Sequence, residues 1–119
     1  MFLLAGIALL LCVALCAPLV SPYDPVAIDL ENDGDLDFYV NNWHIPNQLF
    51  VNNGAGQFTK DDTRGCTGNS GDTSAKQAVT AADVDNDGDV DIYVARREAR
   101  NWLFINDGTG HFTEEGVAR

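Results

Sequence analysis

Basic residues are scarce in this chain, with 7 Lys and Arg against 18 Asp and Glu in 119 residues and a formal net charge of −11. A surface of that sign repels phosphates, so nucleic acid is not an expected partner. Cysteine is nearly absent as well. Cys12 and Cys16 fall within the first 20 residues, which leaves Cys66 alone in a stretch rich in Gly, Ser and Thr. That excludes a disulfide framework; Cys66 is either an unpaired loop thiol or the mate of a cysteine on another stretch of chain. There is no GxSxG, HExxH, Walker-type loop or Cys/His nucleophile arrangement. The only histidines, His44 and His111, lie in different parts of the sequence. The expectation is that the chain is not an enzyme. Beyond the amino terminus no stretch of 10 residues keeps a helical period, which excludes βαβ units and helical repeats.

What is present begins with residues 2–20, an almost wholly apolar run with no charged residue before Asp24. As an apolar helix it reads either as a signal peptide, cleaved near residues 14–17, or as an uncleaved membrane anchor. Both readings place the acidic remainder outside the cytoplasm, secreted in the first case and membrane-tethered in the second.

An offset of 54 residues aligns residues 29–61 with residues 83–115 without a gap, and 16 of those 33 positions are identical. A period near 50 marks stacked supersecondary units. Each copy divides alike. A short uncharged run (26–28, 79–82) precedes an acidic loop, followed by a β-branched and aromatic run (37–40, 91–94). A third strand over 101–106 leads through a Gly-rich turn (53–56, 107–110) into a fourth from His111. Four antiparallel strands in about 54 residues describe one propeller blade. The shared Leu49, Phe50, Phe58, Leu103, Phe104 and Phe112 are the expected core. Arg96, Arg97 and Arg100 occupy a stretch that differs between copies, as a solvated loop or a partner contact. Trp43 and Trp102 are not equivalent in the repeat and are not expected to be framework residues.

Ten of the 18 acids fall in two windows, at Asp29, Glu31, Asp33, Asp35 and Asp37 and at Asp83, Asp85, Asp87, Asp89 and Asp91. Five carboxylates in nine residues repel one another unless a cation sits among them. Short acidic side chains on one tight loop suit Ca²⁺, which takes six to eight oxygens in a flexible shell. Gly34 and Gly88 stand at position six, where a loop wrapping an ion turns sharply. Side-chain oxygens are expected from positions one, three, five and nine. The seventh residue, Asp35 or Asp89, is expected to offer its backbone carbonyl and turn its carboxylate to water. An EF-hand is excluded because position twelve is Val40 or Val94, not Glu. Two Ca²⁺ sites are therefore predicted.

The acidic loop joined to NQLFVNNGAGQFT or NWLFINDGTGHFT resembles the FG-GAP/VCBS repeat family, the blades of integrin-α-like propellers, and among these the cartilage-acidic-protein type. The resemblance spans about residues 26–115. It implies an all-β fold of antiparallel four-stranded propeller blades, Ca²⁺ in loops between the first two strands, and roles in adhesion or matrix contact. Glu31, where the second copy has Asp85, departs mildly from the pattern and is expected to reposition or weaken the first site. The expected layout is a signal peptide or anchor over 1–20, a first repeat over 22–61, an inter-blade linker over 62–76 and a second repeat over 77–119. Two blades do not close a propeller, so further blades are expected from missing chain or from other copies. The function expected is an extracellular Ca²⁺-binding module that meets a protein or glycan through its variable loops. The alternative is a non-catalytic accessory region of a secreted hydrolase or lyase.

Overall fold

The computed structural model describes residues 23–68 and 75–116, so the expected apolar helix lies outside the described residues. Among the described residues eight strands form two antiparallel meanders. The first sheet runs β1 (Tyr23–Ile28), β2 (Asp37–Asn42), β3 (Gln48–Asn52) and β4 (Phe58–Lys60) in that order. The second runs β5 (Lys76–Ala82), β6 (Asp91–Arg96), β7 (Trp102–Asn106) and β8 (Phe112–Gly116). The expected strands are all present, and several extend further than the apolar runs suggested. Pro25 is accommodated in β1 because that strand forms an edge of its sheet.

Registers repeat between the sheets. Phe38 stands opposite Phe50 and Tyr39 opposite Leu49, just as Ile92 stands opposite Phe104 and Tyr93 opposite Leu103. Alternation then gives each sheet two faces. Tyr39 and Leu49 share one face of the first sheet, turned toward the second; Ile92, Trp102, Phe104 and Phe112 share the opposite kind of face on the second sheet, turned toward the first. Together with Leu30, Val94 and Cys66 they make one continuous buried core, and β1 and β2 lie beside β5.

This arrangement corrects three of the six expected core positions. Leu49, Phe104 and Phe112 are buried, but Phe50 and Leu103 are half-buried and Phe58 is exposed. Repeat equivalence places the same residue on the same face of each sheet, yet only one face of each meets the other sheet. Phe58 instead packs against Phe38 at the outer surface, with ring centroids 4.9 Å apart and the planes tilted by 38°. Trp102, which repeat comparison set aside, is buried, with the Arg96 guanidinium 3.9 Å from its ring centroid. Arg97 and Arg100 are exposed.

The described part of the expected linker is packed structure. Its Cys66 and Thr67 are buried, and the backbone links Phe112 N to Arg64 O at 2.7 Å and Asn47 N to Thr67 O at 3.1 Å. A β-carbon on Gly65 (φ 85°) would collide with the carbonyl oxygen of Phe112, so glycine is what lets the segment lie this close to β8. Cys66 is a free thiol whose burial pushes its pKa up to about 12. Its carbonyl accepts the Tyr39 hydroxyl at 2.6 Å, and that hydroxyl accepts from Asn47 Nδ2 at 2.8 Å. Tyr93 accepts from Asn101 in the same way at 2.6 Å.

Candidate metal centre

Both acidic loops wind around their first aspartate. Asp29 accepts from the amides of Asp33 (3.2 Å) and Gly34 (2.9 Å); Asp83 accepts from those of Asp87 (3.1 Å) and Gly88 (2.8 Å). These bonds, with the Gly88 amide foremost, hold the Asp83 carboxyl below its ordinary range. The fifth residue repeats the motif on a smaller scale, with Asp35 N on Asp33 Oδ1 at 3.0 Å and Asp89 N on Asp87 Oδ1 at 2.9 Å. The turn requires positive φ at Gly34 (88°) and Gly88 (93°), and also at Asn32 (58°) and Asn86 (62°), a residue type that tolerates this region.

The ninth residue is the anchor. Asp37 is buried and uses one oxygen for the Leu30 amide (3.0 Å) and the other for the Asn52 amide (2.9 Å). Asp91 does the same with Val84 (2.9 Å) and Asn106 (2.8 Å). Each carboxylate thereby ties its loop to the end of the third strand. Four lone-pair sites per carboxylate leave room for a further bond at these oxygens.

Asn52 and Asn106, to which the motif's spacing assigns no role, end β3 and β7. Each is a hub. The Asn52 side chain donates to Leu36 O (3.1 Å) and accepts from the Gly54 and Gly56 amides (both 3.1 Å). Asn106 donates to Val90 O (3.0 Å) and accepts from Gly108 (3.0 Å) and Gly110 (3.1 Å). The signal was in the sequence: an asparagine identical in both copies, two and four residues before glycines.

Asp83, Asp85 and Asp91 each bring a carboxylate oxygen within 4.8 Å of the others, and among the described residues no second such group is found. This cluster could hold a metal ion. The crowding registers at Asp85, whose carboxyl is raised above its ordinary range by desolvation, then by its contact with Asp87 and by the charges of Asp87 and Asp91. Three convergent carboxylates are a hard-oxygen donor set, suited to Ca²⁺ or Mg²⁺ and poorly suited to thiophilic metals.

The first loop shares the backbone and differs in its company. Glu31, at the position of Asp85, lies 3.5 Å from Arg64, which also holds Asp61 at 2.7 Å. That contact, with the Thr63 hydroxyl as the larger cause, draws the Asp61 pKa down to about 2. Asn32 donates to Asp89 Oδ1 at 2.7 Å, and Asn106 reaches across to Leu30 O at 2.9 Å. Of the seventh residues, expected to turn their carboxylates to water, Asp89 also meets a side chain of the other loop. Asp89 is bonded to Asn32, and Asp35 and Asp89 lie against Gly54 and Gly108, where a β-carbon would come within 2.6 Å and 2.9 Å of a carboxylate oxygen. Glycine in the hairpin makes the space these side chains occupy.

No curated protein and no solved structure significantly matches the chain. The family described as an FG-GAP-like repeat matches residues 29–94 and again residues 83–118, together 90 of the 119 positions (29 through 118). Those matches take in both acidic loops and seven of the eight strands, β2 through β8, and the chain accordingly belongs to the FG-GAP-like repeat family.

Proposed function

We propose that the chain is a Ca²⁺-binding extracellular module whose two sheets are blades of propeller type, and that it binds a protein or glycan and does not catalyse a reaction. The observation that carries this reading is the convergence of Asp83, Asp85 and Asp91 on a loop whose backbone is already wound by Asp83. Ca²⁺ is favoured over Mg²⁺ because a loop of carboxylates offers many oxygens in an adaptable shell, whereas Mg²⁺ holds to strict octahedral geometry and retains its waters. The second loop is the stronger site in this proposal. Glu31 is drawn to Arg64, so the first loop has one carboxylate fewer to offer. An extracellular setting agrees with the apolar run at 2–20, and the affinity expected of such a module is about 10⁻⁴–10⁻³ M.

Thermal unfolding followed by circular dichroism, in EGTA, in Ca²⁺ and in Mg²⁺, tests the reading. Ca²⁺ at 100 times its dissociation constant adds about 2.7 kcal/mol of stability, so the midpoint rises with Ca²⁺ and far less with Mg²⁺. A folded chain whose midpoint ignores Ca²⁺ removes the metal from the proposal.

A further inference from the structure

The intrachain joint shows how one repeat receives another. Blade one presents Leu30, and blade two presents Ile92 and Phe112; these are 1%, 0% and 9% exposed. Each has a repeat equivalent 54 positions away that lacks this cover: Val84 for Leu30 at 52%, Phe38 for Ile92 at 41% and Phe58 for Phe112 at 41%. Leu36, beside Phe38, is exposed as well. Among the described residues the chain thus carries both halves of its own internal joint a second time, exposed.

The polar contacts are duplicated too. Across the joint Asn32 bonds Asp89 and Asn106 bonds Leu30 O, while Asn106 also bonds Val90 O within its own repeat. Asn86 and Asp35 are the equivalent pair, and Asn52 bonds Leu36 O with no second carbonyl among the described residues.

We infer that the Leu36–Phe38–Phe58 face docks the Val84 face of a second copy of this chain, head to tail. The occupant follows from continuity: a surface equivalent to Val84's already sits, within the chain, on one equivalent to that of Phe38. The contact repeats the internal joint without its clamp, because position 118, the equivalent of Arg64, is alanine. The intermolecular contact is accordingly weaker than the internal one. Such a heterologous interface adds copies in one direction, closing into a ring if the rotation permits. The inference rests on reading the two sheets as stacking blades and is independent of the metal.

Sedimentation equilibrium of the full chain in EGTA tests it, with Phe38→Asp and Val84→Asp as variants. Both positions are exposed, so each variant keeps the circular dichroism of the parent. The parent's weight-average mass rises with concentration above 12.9 kDa, and each variant alone stays monomeric. An equimolar mixture of the two forms dimers and stops there, since each retains one intact face. A parent that remains monomeric overturns the proposal, as does association that survives both substitutions and therefore runs through another surface, residues 2–20 included. Acrylamide quenching of Trp102 in a Trp43→Phe background separates this failure from failure of the stacking itself. A shielded Trp102 with a monomeric chain rejects only the docking; an exposed Trp102 rejects the stacking and the docking with it.

Discussion

In the first acidic loop Leu30 is buried, Asn32 reaches Asp89 of the other loop and Glu31 faces Arg64; in the second, Val84 is exposed and three carboxylates converge. The amide bonds that shape the two loops nevertheless agree residue for residue, from the aspartate at position one to that at position nine. The same nine-residue object therefore serves as a joint in one place and as a candidate ion site in the other. What separates the roles is position in the stack. The first loop has a neighbouring hairpin beneath it, and among the described residues the second has none.

The largest expected effect tests what the loops share. Asp37→Ala and Asp91→Ala each strand two amides that the carboxylate had satisfied. At about 1–3 kcal/mol per orphaned buried group, each variant loses about 2–6 kcal/mol in urea unfolding. If the two losses differ by more than about 1 kcal/mol, the kinship of the loops fails at its anchor.

A second pair of substitutions separates what the loops do not share. Asp85→Asn removes one of three convergent carboxylates and is expected to weaken Ca²⁺ binding, followed by calorimetry, at least tenfold, or about 1.4 kcal/mol. Glu31→Gln, at the equivalent position, leaves the tighter Ca²⁺ affinity within a factor of two. Equal weakening by both would show that the first loop contributes as much as the second and would erase the distinction.

The joint is probed by Asn32→Ala against Asn86→Ala. Both asparagines sit at positive φ (58° and 62°), so both variants carry the same backbone strain. Only Asn32 also bonds across the joint, to Asp89 Oδ1 at 2.7 Å and more distantly to Gly108 O at 3.4 Å. The excess destabilisation of Asn32→Ala over Asn86→Ala isolates these two bonds together and is expected near 1 kcal/mol in urea unfolding. No excess would mean the Asn32 side chain contributes nothing to the joint.

Much of this is legible in the sequence. The 54-residue offset, the alternating acids and the hairpin glycines fix eight strands, two loops and their order, because each rests on local rules of spacing and turn chemistry. Repetition itself hid the rest. A repeat predicts equal surroundings for equal residues, and Phe58 and Phe112, identical in sequence, differ only in whether a sheet lies beyond them. The Arg64–Glu31 contact was equally hidden, since it joins residues 33 apart through a segment that reads as a polar linker. Asp37 and Asp91 were legible as acids near an ion and not as anchors, because their amide partners lie up to 15 residues away.

The smallest effect concerns a position where the copies disagree. Asn41 is buried, and among the described residues neither atom of its side-chain amide has a hydrogen-bond partner; the equivalent residue is Ala95. A buried unpaired amide costs about 1–3 kcal/mol. Asn41→Ala removes that cost and opens a small void, which offsets part of the gain. Borrowing the second repeat's solution is therefore expected to leave the chain neutral or up to about 1 kcal/mol more stable in urea unfolding. A loss above 1 kcal/mol would mean that Asn41 is satisfied in solution, by water or by a ligand entering between the sheets, and that the two sheets differ there by function and not by drift.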